Sequence, residues 1–437
     1  MTFWAAAAAV GAILIAVFLA GLAPAGALLR SGSRGSAERA GWSLLLGAAL
    51  LALQTALGLL FGFAPGWIPF LLVAVFAALV SLAGRRRTLG PEPSGSSGNA
   101  AVRWRRWILT AAVVAGIALY SLRALTEPMW SNDFLAIWGL KGKVMYLART
   151  FPSRLLPEAL YGFSHPEYPL GLPLCFAGLA SLLGRWDDHA LALLFPALQI
   201  ATLSVLFGWL RRREVSWAVA ASAAALLAWF EPLYSGFLTG LAEVPLAAAL
   251  LLFGTAYSDS LEGETRAGGR LAAASLLTGF LKNEGILLAV ASGLAAALRR
   301  RWTTAAAALI PATAAAAVGR LASRGASLRD FDSVFLGPRA GDLPSRFGET
   351  VRAALAEPGL WGWATLGCLV LLFLAGRRTP FADRLLVLAG VCFAAYLVAP
   401  VFAVRGPSWL VETTLARTSA ALAPLVAGGL AGRFRSL

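Results

Sequence analysis

Apolar runs recur along the whole chain, broken by short polar stretches rich in Arg. A helix of about 17–25 apolar residues is long enough to cross a bilayer. The pattern predicts thirteen such spans: 3–29, 41–62, 67–84, 107–123, 189–210, 216–234, 244–258, 271–281, 285–298, 303–319, 360–376, 384–404 and 414–432. The alternating segments of about 10 residues that would mark a membrane β-barrel are absent. The expected fold is an all-α polytopic membrane protein with about 13 transmembrane helices.

The Arg clusters assign the sides. They are Arg30, Arg34 and Arg39; Arg85–Arg87 with Arg103, Arg105 and Arg106; Arg211–Arg213; Arg266 and Arg270; Arg299–Arg301; Arg377, Arg378 and Arg384; and Arg433 with Arg435. Basic residues stay on the cytoplasmic side of short loops. Placing every cluster there gives consistent alternation, with the N-terminus outside and the C-terminus inside. Phe3–Leu29 reads as a retained span, because it lacks a basic n-region and its apolar run is too long for a signal peptide.

Two segments test this map. Residues 166–184 are apolar enough to cross, but counting them would put Arg211–Arg213 outside. Pro166, Pro169 and Pro173 weaken the first half of that segment. The expectation is an interfacial or re-entrant helix on the outer face. Residues 271–298 read either as one long span or as two short ones meeting at Lys282-Asn283-Glu284; a single span would invert everything after it, which favours two.

Composition supports the same class. The 437 residues are 59% hydrophobic and 14% charged, against roughly 25% charged in soluble domains. The net charge of +15 reads as a topology signal, and no nucleic-acid partner is expected. Two histidines exclude a His-rich metal site, and three cysteines in apolar surroundings suggest no disulfide framework. Residues 85–106, with Pro91, Pro93, Gly95 and Gly98, read as a flexible basic cytoplasmic linker. They separate a three-span N-terminal extension, 1–84, from a ten-span body, 107–437, with outer loops 124–188 and 320–359. The second loop mixes Arg and acidic residues and breaks the charge rule.

The polar residues outside the Arg clusters converge on the outer side. Acids at a membrane are costly and mark function, which singles out Asp133 beside span 107–123. After it, Ile137, Leu140, Val144 and Leu147 recur at helical spacing and predict an interfacial helix with Lys141 and Lys143 near headgroups. Glu243 opens a span, where the helix dipole favours a carboxylate whether or not it has a role. Lys282 sits in an apolar stretch; it binds a lipid phosphate, or is neutralised by Glu284, or snorkels. Arg417, at the outer end of the last span, is a second lipid-phosphate contact or snorkels. His165, before Pro166-Glu167-Tyr168-Pro169, is a turn residue or a substrate contact. Acids, cations and an apolar groove at one face suit a lipid-phosphate-linked sugar, with a carboxylate as general base and cations on the departing phosphate.

In this arrangement the chain resembles the GT-C superfamily of polyprenyl-phosphate-sugar-dependent membrane glycosyltransferases, which includes protein O-mannosyltransferases and aminoarabinose transferases. Four elements carry the resemblance: Asn132-Asp133-Phe134; His165-Pro166-Glu167-Tyr168-Pro169-Leu170; Glu243-Val244-Pro245-Leu246; and Gly279-Phe280-Leu281-Lys282. Arg417 is similar to a late Arg of the family. The resemblance covers residues 107–300 well and the rest loosely. It implies Asp133 as catalytic base and Glu243 as a supporting acid or metal ligand. It implies Lys282, Arg417, His165, Glu167 and Tyr168 as contacts to substrate or lipid phosphate. A divalent metal, Mg or Mn, on Asp133 and Glu243 stays open, because Glu243 replaces the usual Asp and a second acid beside Asp133 is missing. The implied partners are a polyprenyl-phosphate-linked sugar donor, membrane lipids, and a glycan, lipid or protein acceptor. The implied location is the cytoplasmic membrane with the site on its extracytoplasmic side. The competing expectation is a transporter or lipid flippase, which would carry mid-membrane polar residues and inverted repeats. A non-catalytic assembly partner of an envelope pathway is the third.

Overall fold

The computed structural model describes residues 3–29, 35–83, 100–156, 160, 164–166, 168–322, 340–356, 378–402 and 406–434. They are overwhelmingly helical, with no strand among them. In a bilayer the backbone must satisfy its own hydrogen bonds, and a helix does so within one segment. The helices are α1 (Phe3–Leu28), α2 (Ser36–Phe61), α3 (Trp67–Ala83), α4 (Ala100–Thr126), α5 (Gly139–Ala148), α6 (Gly171–Leu183) and α7 (Leu194–Arg212). They continue as α8 (Trp217–Ala228), α9 (Glu243–Leu261), α10 (Ala267–Leu281), α11 (Asn283–Leu298), α12 (Trp302–Ala322), α13 (Leu343–Ala356) and α14 (Pro380–Phe402). The last are α15 (Ala416–Ala420) and α16 (Ala423–Arg433).

Seven helical segments are long and apolar enough to cross a membrane, and five more apolar helices are shorter. The chain is a multi-pass all-α membrane protein. The expected span 360–376 lies outside the described residues. Span 216–234 ends early: α8 stops at Ala228 and residues 229–242 are turns. Apolar Trp229, Phe230 and Leu233 extended the expected span, but Pro232 blocks helical hydrogen bonding beyond it. The expected span 414–432 is three pieces: a π-helical turn at Val411–Leu415, then α15 and α16.

α9 is the central helix, with seventeen of its nineteen residues buried. α7, α10, α14 and α16 pack around it, and α2 packs along α7. α1 crosses α2 at close range. A Cβ added to Gly21 or to Gly47 would stand 1.8 Å from the Ser43 or Val17 carbonyl oxygen. Only glycine allows that approach.

Contacts describe the packing of both segments that tested the map. α10 and α11 are two helices, and the chain reverses between them at Lys282, which is extended (φ −157, ψ 152). The turn is tight: a Cβ on Gly285 would lie 2.3 Å from the Thr278 carbonyl oxygen. α6 is not a surface helix. Ten of its thirteen residues are buried, and it packs on α2 and α5. Its first residue, Gly171, meets the Phe280 carbonyl near the end of α10, and its Leu182 carbonyl accepts from Trp67 Nε1 at the start of α3. Both ends of α6 therefore sit at the Glu243 end of the bundle, as a re-entrant element would.

The expected interfacial helix is also corrected. Its buried face is Phe134, Ile137, Trp138, Lys141, Gly142 and Met145, while Leu147 is exposed. Lys141 is fully buried rather than near headgroups. Lys143 is exposed. A π-helical turn at Phe134–Trp138 precedes α5.

Candidate functional site

Glu243 is the first residue of α9, where its carboxylate meets the positive end of the helix dipole. It is buried, and a buried carboxylate must be paired. Lys282 provides the pairing: its Nζ donates to Glu243 Oε1 at 3.1 Å and lies 3.1 Å from Glu284 Oε1. The extended backbone at Lys282, where α10 ends and α11 begins, turns its side chain into the bundle.

On the other side of Glu243 stands Arg417. Its Nη1 donates to Asp133 Oδ2 at 2.5 Å, and its Nε is 3.6 Å from Glu243 Oε1. That Nε is buried and makes no hydrogen bond. The result is a continuous chain of alternating charge, Asp133–Arg417–Glu243–Lys282–Glu284. Three acids face two cations.

The backbone around this chain is irregular at two places. Asp133 immediately precedes the π-helical turn Phe134–Trp138, and Arg417 follows the π-helical turn Val411–Leu415. Such turns are rare and concentrate at functional sites. Here the two described π-helical turns flank the two residues of one ion pair.

An aromatic wall stands beside the cations. Tyr168 stacks on His165 at 4.8 Å and on Trp138 at 5.4 Å between ring centroids. Tyr168 lies within the electrostatic reach of both Lys282 and Arg417. His165 takes a left-handed backbone (φ 55), uncommon outside glycine. Its carbonyl accepts from Lys141 Nζ at 2.6 Å. The buried lysine thus props the segment that presents Tyr168.

Of the residues singled out in the sequence, Asp133, His165, Tyr168, Glu243, Lys282 and Arg417 come together at one end of the bundle. Glu167 lies outside the described residues. Two neighbours were missed, Trp138 and Tyr396, and Lys141 was expected near headgroups instead. Tyr396 of α14 is buried in the electrostatic field of Glu284 and Lys282. Nothing in its apolar sequence context marks it. Lys141 and Trp138 share a helical face with Phe134 at ordinary i, i+4, i+7 spacing, a signal that a search for apolar positions alone passes over because one member is a lysine.

Among the described residues, no group of three or more His, Cys, Asp or Glu side chains forms a metal cage. The Arg417 guanidinium lies between Asp133 and Glu243. The arrangement offers Lys282 and Arg417 as anion-binding groups and Asp133 as a proton acceptor. Comparison with protein families, characterised proteins and solved structures finds no match for the chain.

Proposed function

We propose that the chain is an integral-membrane glycosyltransferase that moves a sugar from a polyprenyl-phosphate donor to an acceptor hydroxyl. The observation that carries this reading is the convergence of Asp133, Glu243, Lys282 and Arg417, from four distant stretches, into one chain of ion pairs beside an aromatic wall.

The donor phosphate binds Lys282 and Arg417, with Arg417 Nε as an unused donor already in place. The apolar helices hold the prenyl tail. The sugar lies against the Trp138–Tyr168–His165 wall. Asp133 takes the proton of the acceptor hydroxyl while the acceptor oxygen bonds to the anomeric carbon. The bond from that carbon to the phosphate oxygen breaks, and polyprenyl phosphate leaves with its added negative charge held by the two cations. Glu243 keeps Lys282 and Arg417 oriented. We place the protein in the cytoplasmic membrane with this end facing out, on the Arg distribution.

The test is transfer from a panel of radiolabelled polyprenyl-phosphate sugars, in membranes holding wild type or Asp133→Asn at equal expression. Transfer by wild type that is lost in the variant is the expected result. Donor binding and transfer that are both absent across the panel sink the reading.

The reversal at Lys282 favours a second reading, a lipid or solute transporter, because broken helices with buried charges build such sites. Donor uptake into proteoliposomes without any transfer is its signature.

A further inference from the structure

A separate cavity of about 190 Å³ opens between α4 and the end of α8, lined by Tyr120, Arg123, Trp229, Glu231 and Tyr234 among others. A single water needs only about 10–15 Å³ of such space, so the cavity admits a small polar headgroup. Arg123 and Glu231 bear opposite charges on its wall, yet among the described residues neither forms an ion pair. Arg123 stands in the last turn of α4, where a cation suits the helix dipole. Glu231 stands just beyond the C-terminal end of α8, where a carboxylate is disfavoured unless a cation joins it.

The depth of the cavity is marked by aromatics. Trp130 and Phe237, beyond the end of α4, are 52% and 45% exposed, edge to face at 5.5 Å, while Trp229 lies deeper, its Nε1 donating to the Ala112 carbonyl. Exposed aromatic residues in a membrane protein collect at the headgroup level. Below that level the surface is apolar, with Leu119, Leu122 and Leu226 exposed. A ligand here has a polar head in the cavity and acyl chains along these leucines.

We propose that the cavity binds a phospholipid whose headgroup carries a phosphate and a primary ammonium. The phosphate pairs with Arg123. The ammonium donates to Glu231 and lies against the Trp229 and Tyr234 rings, as cations do on aromatic faces. Glu231 disfavours a headgroup with net negative charge. It also disfavours a quaternary amine, which has no N–H to give. The inference is independent of the glycosyltransferase reading.

The test is native mass spectrometry of the full chain after exposure to equimolar phosphatidylethanolamine, phosphatidylcholine and phosphatidylglycerol. Wild type is expected to retain phosphatidylethanolamine over both others. Arg123→Ala is expected to lose about tenfold in retention, the weight of one charged hydrogen bond. Glu231→Gln is expected to keep lipid but lose the preference over phosphatidylcholine. Equal retention of all three lipids by wild type overturns the proposal, as does preference for phosphatidylglycerol. So does Arg123→Ala with unchanged retention. If Arg123→Ala fails to fold, Glu231→Gln decides alone: a preference that survives it overturns the proposal.

Discussion

α9 carries a buried carboxylate near each end, Glu243 and Asp259, about 24 Å apart along the helix. The two have opposite surroundings. Asp259 meets Arg212 and Arg270 at 2.7 and 2.8 Å, and Arg213 as well. Glu38, Glu262 and Glu264 complete the set, with Arg212 forked on Glu38 at 2.8 and 2.9 Å and Arg384 on Glu262 at 2.7 Å. Four acids face four arginines from α2, α7, α9, α10, α14 and the α9–α10 turn. At the Glu243 end three acids face two cations, and the backbone breaks or bulges at Asp133, Lys282 and Arg417. Buried arginine Nε groups without a hydrogen bond occur at both ends, on Arg417 here and on Arg213 and Arg270 there. A charge-balanced network on regular helices clamps those helices together. The unbalanced one on irregular backbone is where the proposed ligand site lies.

The difference predicts opposite consequences for similar substitutions. Asp259→Asn leaves three arginines without their shared carboxylate and is expected to cost about 3–5 kcal/mol, as broken buried pairs do. A thermal melt in detergent reads this. A melt unchanged from wild type would falsify the clamp. Asp133→Asn is expected to leave the melt nearly unchanged, because Asp133 is 30% exposed and makes one ion pair. Transfer activity should instead fall about 10²–10³-fold, the usual weight of a general base. Loss of folding without a separate loss of turnover would make Asp133 another clamp residue. Lys141→Met comes next. It keeps the volume but deprives the His165 carbonyl of its donor, at an expected cost of about 1–3 kcal/mol. The same substitution at exposed Lys143 is expected to stay within about 0.5 kcal/mol. Equal effects at the two lysines would contradict the burial of Lys141.

Much of this contrast was open to sequence reading, and its limits have physical causes. Spans in lipid are forced to be helical, so hydropathy alone finds the long apolar helices. The Arg clusters marked one end correctly as a group: Arg212, Arg213, Arg270 and Arg384 do meet at the Asp259 end. Their ion pairing was invisible, because Glu38 lies far in the chain from Asp259 and Glu264, and all three lie far from Arg212. Asp133, Glu243, Lys282 and Arg417 stood out because charge amid apolar sequence is rare. The face of α5 was misread because apolar Leu140, Val144 and Leu147 drew the expected stripe, whereas the buried face carries Lys141 and Gly142 beside Met145. α8 was drawn too long because Trp229, Phe230 and Leu233 are as apolar in a turn as in a helix.

The smallest expected effect separates the two ends most sharply. A double-mutant cycle on Arg212 and Glu38 should give a coupling of about 1.5–3 kcal/mol, since both nitrogens of the fork donate to a buried carboxylate. The same cycle on Arg417 and Glu243 should give less than about 0.5 kcal/mol of stability. Their closest approach is 3.6 Å without a hydrogen bond, and Lys282 already neutralises Glu243. Donor lipid should raise that second coupling, because a phosphate drawing Arg417 and Lys282 together makes both depend on Glu243 for orientation. A strong Arg417–Glu243 coupling in the absence of donor would mean that both ends of α9 are clamps. The open valence at Arg417 would then have no ligand waiting for it.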